Sequence, residues 1–248
     1  MQINKKSPVP LYHQIKNFLM NQIKEEQLAE GEKLPSEPEM MTKFDVSRST
    51  VRKALAELEK EGYVEKFHGK GTVVRKPKIS PLAALTSFSQ NMRAVGLNPT
   101  YQTKEIEFCT PPLNIANFFG MKSENDKALF LNRVLLADLK PIAIQQVYLS
   151  KKLVEPIQNY FTKEYLDNNS MYKLLENKLG ITLWKAEENI SAIQAGEEEK
   201  ELLNLDSKIP LLLINRKTYN KAEEAVEYAR LTYRADLYSY KFNLLAEA

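Results

Sequence analysis

Apolar residues recur at helical spacing three times in the first third of the chain. Residues 11–23 carry an apolar side chain every three or four positions, as one face of an amphipathic helix requires. Ser36 and Glu39 have the spacing of a capping box, so a second helix is predicted to begin there. The apolar stripe of a third helix spans residues 51–58, and Gly62 suits its end.

A hairpin is predicted directly after the third helix. In "YVEKFHGKGTVV", residues 63–74, two short runs of strand-forming residues flank the glycine turn "HGKG". Only the short turn "DVS" separates the second helix from the third. Two helices joined by such a turn and followed by a hairpin are typical of a winged helix-turn-helix.

Helix and strand patterns alternate through the rest of the chain, and hairpins dominate. The predicted elements include a helix that runs up to Gly96, two strands around a turn at 138–141, and a helix that begins at Asn169 or Ser170 and ends at Gly180. A last strand is predicted in "YSYKFNL". The pattern therefore predicts an α+β chain in which helices pack on a mainly antiparallel sheet.

A basic segment bracketed by prolines, "RKPKISP", divides these two parts. We expect a DNA-binding domain at 1–76, a linker at 77–82 and a second domain at 83–248. Charge follows the same division. Residues 1–76 hold 14 Lys/Arg and 11 Asp/Glu, whereas the remaining residues hold 21 of each. A basic segment joined to a neutral one favours a polyanion-binding module attached to a domain with another task.

Composition excludes several other classes of protein. The 248 residues are 43% hydrophobic and 27% charged, and no apolar run reaches the roughly 18 residues that a membrane span needs. The start of the chain has no apolar export signal, and Cys109 is the only cysteine, so we expect a cytoplasmic protein without a disulfide. The two histidines, His13 and His68, have no ligand spacing, so neither a metal nor another cofactor is expected.

The start of the third helix carries the clearest candidate chemistry. Arg48 and Arg52 lie four residues apart with no acidic residue in that row of the helix, so we interpret them as unpaired. Arginine can bind guanine bidentately in the major groove, and small hydroxyls reach phosphates. Ser47, Ser49 and Thr50 stand beside the arginines. We therefore predict that these residues contact DNA; the alternative is an ordinary solvated surface.

The hairpin turn is the second candidate for DNA contact. His68, Gly69 and Lys70 form its tip, where glycine lets the backbone approach a sugar-phosphate chain closely. The alternative is a hairpin whose lysine only adds solubility.

The N-terminal string closely resembles the DNA-binding domain of the GntR family of bacterial transcription regulators. The resemblance rests on "LPSE…SRSTVRKAL…L…EGY…GKGT" and covers the whole predicted module. It implies binding of double-stranded operator DNA. The family often has a DNA-contacting arginine directly after "PSE", where this chain has Pro38, so that contact is not expected here.

The C-terminal part resembles the UTRA effector-binding domain of the HutC subfamily, whose fold is similar to chorismate lyase. The matching strings are "LTSF", "RVLLADLKPIAIQQVYL", "SMYKLLE" and "VEYARLTYRADLYSYKF". The resemblance implies a small-molecule effector, with sugar phosphates favoured as in the regulators of N-acetylglucosamine use. The candidate effector-binding residues are Phe88, Ser89, Arg133, Gln145, Ser170, Tyr172, Glu227 and Tyr233.

The residues themselves support part of this assignment. Arg133 lies in the apolar strand "ALFLNRVLL", where its charge needs a partner. A bound anion is one such partner, and a salt bridge to Glu227 is another. In the relatives, the arginine and the residues matching Ser89, Ser170 and Tyr172 bind phosphate, whereas those matching Glu227 and Tyr233 bind sugar hydroxyls. Ser170 has the alternative role of a helix cap.

Two departures separate this chain from the sugar-phosphate-binding relatives. They often have a second arginine where this chain has Leu135, and glutamate where it has Gln145. The loss of one cation and one acid indicates a different ligand, either another sugar phosphate or a less charged molecule.

We therefore expect a homodimeric repressor of carbohydrate-utilisation genes that is released from DNA by a small ligand. The alternative direction of regulation is activation. The alternatives are an enzyme of chorismate-lyase-like fold and a DNA-binding protein without an effector. Catalysis would need a positioned acid or base, and residues 77–248 contain no histidine and no Ser/His/Asp set. No catalytic residue is predicted.

Overall fold

The structure of the chain is a computed structural model. The structure describes residues 3–25, 27–67, 69, 71–75, 78–80, 84–123, 125–205 and 209–241. The chain divides into two compact units, Met1–Lys78 and Ile79–Ala248. Within the described part of the chain, each helix is too short or too polar to cross a membrane.

The N-terminal unit is the predicted winged helix-turn-helix. Its elements are α1 (Leu11–Lys24), α2 (Glu37–Phe44), α3 (Arg48–Lys60), β1 (Val64–Phe67) and β2 (Gly71–Val74). The two strands pair antiparallel. Leu34 N donates to Thr72 O at 2.9 Å and Val74 N donates to Glu32 O at 2.8 Å, so the segment before α2 extends this small sheet.

Local sequence explains where the helices of this unit begin and end. Ser36 and Glu39 form the predicted capping box at the start of α2. Asp45 ends α2 in the left-handed conformation with φ 50°, which turns the chain sharply toward α3. The apolar stripes then meet in one core, made by Ile15, Leu19, Ile23, Leu34, Met40, Phe44, Val51, Ala54, Leu55, Leu58, Val64 and Val74.

The C-terminal unit is the predicted α+β fold. Its elements are α4 (Phe88–Ala94), β3 (Pro99–Cys109), α5 (Leu113–Phe118), β4 (Ala128–Ala137), β5 (Lys140–Ser150), α6 (Lys151–Val154), a 3₁₀ helix (Glu155–Tyr160), α7 (Lys163–Asn168), α8 (Met171–Leu179), β6 (Leu183–Gln194), α9 (Glu197–Leu203), β7 (Pro210–Asn220) and β8 (Ala225–Arg234). The six strands form one antiparallel sheet in the order β3-β4-β5-β8-β7-β6.

Two element predictions in this unit are wrong in extent. The helix before Gly96 begins only at Phe88, because Ser87 and Gln90 form a capping box that sets its start. The final strand predicted in "YSYKFNL" is reduced to one isolated parallel bridge between Tyr238 and Ile79, and residues 242–248 lie outside the described residues. The short helices between β5 and α8 were not predicted.

One face of the sheet holds the core of the C-terminal unit and also its buried polar side chains. Arg133 pairs with Gln145 across β4 and β5, and Gln145 pairs with Leu231 on β8, so the three side chains form a row on that face. Apolar side chains of α4, α7 and α8 pack against the same face. The helices bury the polar row beneath them, and this arrangement creates the cavity described below.

Candidate functional sites

The first site is the N-terminal end of α3. Ser47 is the N-cap, and its hydroxyl accepts from Thr50 N at 3.3 Å. Its oxygen also lies 2.9 Å from Ser49 Oγ and 2.8 Å from Thr50 Oγ1, which gathers three hydroxyls at the helix start. The first turn contains no acidic residue. The positive end of the helix dipole and three hydroxyls are therefore available to a phosphate.

The two arginines of α3 are exposed but are not unpaired, so that part of the sequence interpretation is wrong. Arg48 Nε donates to Glu37 Oε2 at 3.0 Å, and Arg52 Nε lies 3.7 Å from Glu37 Oε1. Residue spacing along α3 does not reveal this pairing, because Glu37 belongs to α2. Both guanidinium groups remain largely in solvent.

The tip of the hairpin is only partly described. Gly69 is exposed with φ 74°, a left-handed conformation that favours glycine, and no atom lies near the position of an added Cβ. Backbone conformation therefore explains this glycine better than lack of space does. His68 and Lys70 lie outside the described residues.

The second site is a cavity between the sheet and the helices of the C-terminal unit. Six of the eight predicted effector-binding residues line it: Phe88, Arg133, Gln145, Ser170, Tyr172 and Tyr233. The other lining residues are Thr86, Ser87, Asn91, Tyr101, Leu135, Met171, Arg216 and Leu231. Its free volume is about 20 Å³, which holds about one water molecule.

Ser89 and Glu227 do not line the cavity but are buried. Ser89 Oγ lies 3.1 Å from Ser87 Oγ, and Ser87 does line the cavity. Glu227 Oε2 accepts from the Tyr172 hydroxyl at 2.6 Å and from Thr218 Oγ1 at 2.9 Å. Its other oxygen, Oε1, has no hydrogen-bond partner among the described residues.

Arg133 is a buried cation whose contacts are all neutral among the described residues. It is 2% exposed. Its Nε and Nη2 donate to Gln145 Oε1 at 3.2 and 2.7 Å, and its Nη1 donates to Leu166 O at 3.4 Å. The guanidinium lies 4.6 Å from the centre of the Tyr101 ring. The alternative salt bridge to Glu227 is not formed. Burial lowers the pKa of Arg133 to about 10, which reflects a charge that this environment does not fully compensate.

Arg216 is a second cation of the cavity that the sequence analysis missed. Its Nε donates to Glu188 Oε1 at 2.6 Å, and its Nη1 donates to the Tyr172 hydroxyl at 3.3 Å. Burial alone would lower the pKa of Arg216, but Tyr172 and Glu188 raise it well above its ordinary value. Strand alternation in "PLLLINRKTYN" was the available signal, because Arg216 shares a face with Ile214 and Thr218, which are fully buried.

Ser170 occupies the N-cap position of α8 but makes no side-chain capping hydrogen bond. It is buried and lines the cavity, so the helix-cap alternative does not account for its hydroxyl. Gly180 ends the same helix in the left-handed conformation, as the sequence predicts.

A second cavity of about 280 Å³ lies beside α5. Its charged lining residues, Lys122 and Asp126, are exposed, and Asp126 already accepts from two backbone N–H groups. Among the described residues, no group of His, Cys, Asp and Glu could hold a metal ion. The smaller cavity, with the buried Arg133 and the largely buried Arg216, is therefore the better candidate for an anionic ligand.

The pKa of Glu227 provides a test of this electrostatic description. Burial raises the pKa of Glu227 above its ordinary value of 4.5, so the folded state binds a proton more tightly than the unfolded state. The free energy of unfolding is therefore expected to fall as the pH rises from 4.5 toward neutrality, relative to Glu227→Gln. Chemical unfolding followed by circular dichroism at several pH values measures this difference. An exposed control, Glu201→Gln, should keep the pH profile of the wild type; an identical pH profile for wild type and Glu227→Gln would contradict the prediction.

Both parts of the chain match known protein families. Residues 11–74 match the family model described as "Bacterial regulatory proteins, gntR family", and residues 94–239 match the one described as "UTRA domain". The chain is 33% identical over 242 residues to the transcriptional repressor NagR of Bacillus subtilis, covering 97% of each chain. It is 28% identical over 245 residues to MngR of Escherichia coli, the mannosyl-D-glycerate transport/metabolism system repressor, covering 96% of each chain.

A solved structure supports the same assignment. The crystal structure of PhnF from Mycobacterium smegmatis superposes with a TM-score of 0.77 at 26% identity, covering 95% of this chain and 99% of that one. The winged helix-turn-helix, the antiparallel effector domain and the two family matches thus agree. The chain belongs to the GntR family of bacterial regulatory proteins and is a DNA-binding, HutC-type transcription repressor with a C-terminal UTRA effector domain.

Proposed function

We propose that this repressor is released from its operator by a small phosphorylated sugar that binds in the cavity of the C-terminal unit. The observation that carries this proposal is Arg133, a fully buried guanidinium without a carboxylate partner among the described residues. A buried charge without compensation is costly, and a bound anion supplies the missing charge. Gln145 leaves the charge of Arg133 uncompensated, because its amide oxygen accepts a hydrogen bond from Arg133 without neutralising it.

The opposite side of the cavity suits a neutral polar group. Glu188 already neutralises Arg216, so Arg216 is a hydrogen-bond donor toward hydroxyl or carbonyl oxygens rather than a second free cation. Tyr172, whose hydroxyl contacts both Arg216 and the buried Glu227, provides a further partner for hydroxyls next to it. One uncompensated cation with several neutral partners favours a ligand that has one anionic end and one polyhydroxyl end. A relative's name, which refers to a mannosyl-glycerate system, supports a sugar-derived ligand.

The cavity is in a closed state that has to open for such a ligand. Space for about one water molecule does not hold a sugar, so side chains above the sheet have to move on binding. Phe88 and Tyr172 lie on α4 and α8, the helices that cover the cavity. We expect the ligand to displace these helices and thus to convert binding into a change of shape.

The start of the C-terminal unit is held next to this cavity. Ile79 N donates to Leu237 O at 2.8 Å, and Ser239 N donates to Ile79 O at 2.9 Å. Between those two residues, Tyr238 stacks on the cavity residue Tyr233 with ring centres 3.8 Å apart. A ligand that moves Tyr233 would therefore disturb the start of the C-terminal unit. In this way ligand binding would change the conformation of the proposed linker at 77–82.

Tyr238→Leu is expected to separate ligand binding from DNA release. The substitution removes the stacked ring but leaves the lining residues in place, so the effector should still raise the melting temperature while releasing operator DNA poorly. Differential scanning fluorimetry and fluorescence polarisation measure the two responses. Tyr148→Leu, which removes a ring that packs on Phe130 and does not line the cavity, is the matched control. Full release of DNA from the Tyr238 variant would contradict this route.

We also propose that the repressor is a homodimer that presents two copies of α3 to two half-sites. Linking two weak contacts raises affinity, and a two-fold protein matches a palindromic operator. Ser47, Arg48, Ser49, Thr50 and Arg52 would contact the major groove and its phosphates, together with the hairpin tip at 68–70. Light scattering on the free protein and on its DNA complex tests the stoichiometry, and a monomer on DNA would refute it.

The experiment that tests the function is operator release. DNA from upstream of the protein's own gene is labelled, and binding is measured by fluorescence polarisation during titration with hexose 6-phosphates, the corresponding neutral sugars and inorganic phosphate. Release by a sugar phosphate, but not by its neutral sugar, is the expected result. Release by the neutral sugar alone would refute the anionic ligand. No response to any member of the panel would refute the class as a whole.

A further inference from the structure

Glu37 is the first residue of α2, and its carboxylate faces the two arginines of α3. It contacts the Nε side of both, at 3.0 Å for Arg48 and 3.7 Å for Arg52. The Glu37 side chain is 26% exposed, whereas the arginine side chains are 70% and 67% exposed. One partly buried carboxylate is thus shared by two cations that extend into solvent.

The usual reason for an acidic residue at this position accounts poorly for Glu37. Acidic side chains in a first turn stabilise a helix through its dipole, but α2 already has Glu39 there, in a complete capping box with Ser36. Surface ion pairs are worth about 0–1 kcal/mol. Stability is therefore a weak explanation for a carboxylate placed between the two residues that are the best candidates for base contact.

The side from which Glu37 contacts the two arginines determines which of their N–H groups remain free to bind a base. A bidentate contact with guanine needs two parallel N–H donors from one guanidinium group. Because Glu37 occupies the Nε side, the donors left for a base are the terminal pair, Nη1 and Nη2. An arginine loses about 2 kcal/mol of rotamer freedom when it is fixed. A guanidinium that is already held by a carboxylate loses part of that freedom before DNA arrives.

The carboxylate also changes how the surface responds to DNA of any sequence. Two arginines without Glu37 would attract phosphates indiscriminately, since this attraction carries no sequence information. With Glu37 between them, one negative charge offsets part of the attraction, and repulsion between the two cations is relieved. The same residue therefore weakens non-specific binding and prepares the arginines for a directed contact.

We propose that Glu37 is a positioning residue for operator recognition, which holds Arg48 and Arg52 ready to read bases end-on and lowers the affinity of this surface for other DNA. It acts through the arginines and is not itself a base-contacting group. The proposal does not depend on the identity of the effector or on the cavity of the C-terminal unit.

The test compares binding of the full chain to two DNA duplexes. One is the operator selected by the wild-type protein from a random-sequence library, and the other is a scrambled duplex of equal length. Glu37→Gln removes the charge at constant size. Glu61→Gln is the matched control, because Glu61 pairs with Lys16 at 2.8 Å and does not contact the arginines of α3. Glu37→Asp keeps the charge but shortens its reach.

Glu37→Gln should bind scrambled DNA about threefold more tightly, with a steeper salt dependence. Its ratio of operator to scrambled affinity should fall about tenfold. Glu61→Gln should leave that ratio within about twofold of wild type. Glu37→Asp should lower the ratio without tightening scrambled binding, which separates positioning from charge. An unchanged ratio in Glu37→Gln, or an equal fall in Glu61→Gln, would overturn the proposal. So would a parallel loss of both affinities in a variant whose melting temperature is unchanged.

Discussion

Arg133→Met is expected to abolish the effector response while leaving operator binding intact. The substitution removes the one cation of the cavity that no carboxylate neutralises among the described residues, and it replaces that cation with an apolar side chain of similar length. Removing one partner of a buried charged contact costs about 2–5 kcal/mol, so release should need about a hundredfold more ligand or should vanish. The DNA-contacting surface belongs to the other compact unit, so operator affinity should stay close to that of the wild type.

The same variant should be more stable than the wild type in the absence of ligand. A guanidinium held only by neutral groups is costly to bury, and apolar replacements of buried charges are often neutral or stabilising. Arg93→Met is the matched control, because Arg93 is an exposed residue of α4 and loses the same charge. Melting temperature and operator release, measured on both variants, provide the comparison. If Arg133→Met were released from operator DNA at the wild-type ligand concentration, the anion would have to bind elsewhere.

Strand periodicity explains which residues of the candidate effector site could be predicted from the sequence. A charge in the middle of "ALFLNRVLL" is conspicuous because every other residue of the string except Asn132 is apolar, and alternation then determines which residues share its face. Arg216 follows the same rule but sits in the more polar string "NRKTY", where a second inward-facing charge does not stand out. Its role depends on Glu188 from the adjacent strand, and the pairing of β6 with β7 is not encoded in either segment alone.

Contacts between distant segments account for what sequence reasoning missed. Glu37 and Arg48 are 11 residues apart on different helices, so helical spacing within α3 did not reveal their pairing. The short helices at 151–168 also escaped prediction, because their periodicity is too brief to recognise. They nonetheless supply Leu166 O to Arg133. Local pattern thus predicts the longer elements, while tertiary packing decides which charges meet.

Arg52→Ala is expected to remove most operator discrimination without loss of fold. Arg52 is exposed in the first half of α3, and its pair with Glu37 is long at 3.7 Å, so little stability depends on it. One bidentate arginine–guanine contact is worth about 1–3 kcal/mol of discrimination, or roughly 5- to 150-fold in the ratio of operator to scrambled affinity. The affinity for the scrambled duplex should fall only slightly, because the variant loses one charge that attracts phosphates.

Lys60→Ala is the matched control for this prediction, because Lys60 is an exposed cation in the last turn of the same helix. It should lower both affinities alike and leave the ratio unchanged, since it lies about three helical turns away from the end that is expected to enter the groove. Fluorescence polarisation with both duplexes measures the two variants side by side. If Arg52→Ala kept the wild-type ratio, the reading of bases would have to come from Arg48 and the hairpin alone. If Lys60→Ala lost as much discrimination as Arg52→Ala, charge rather than position would govern recognition.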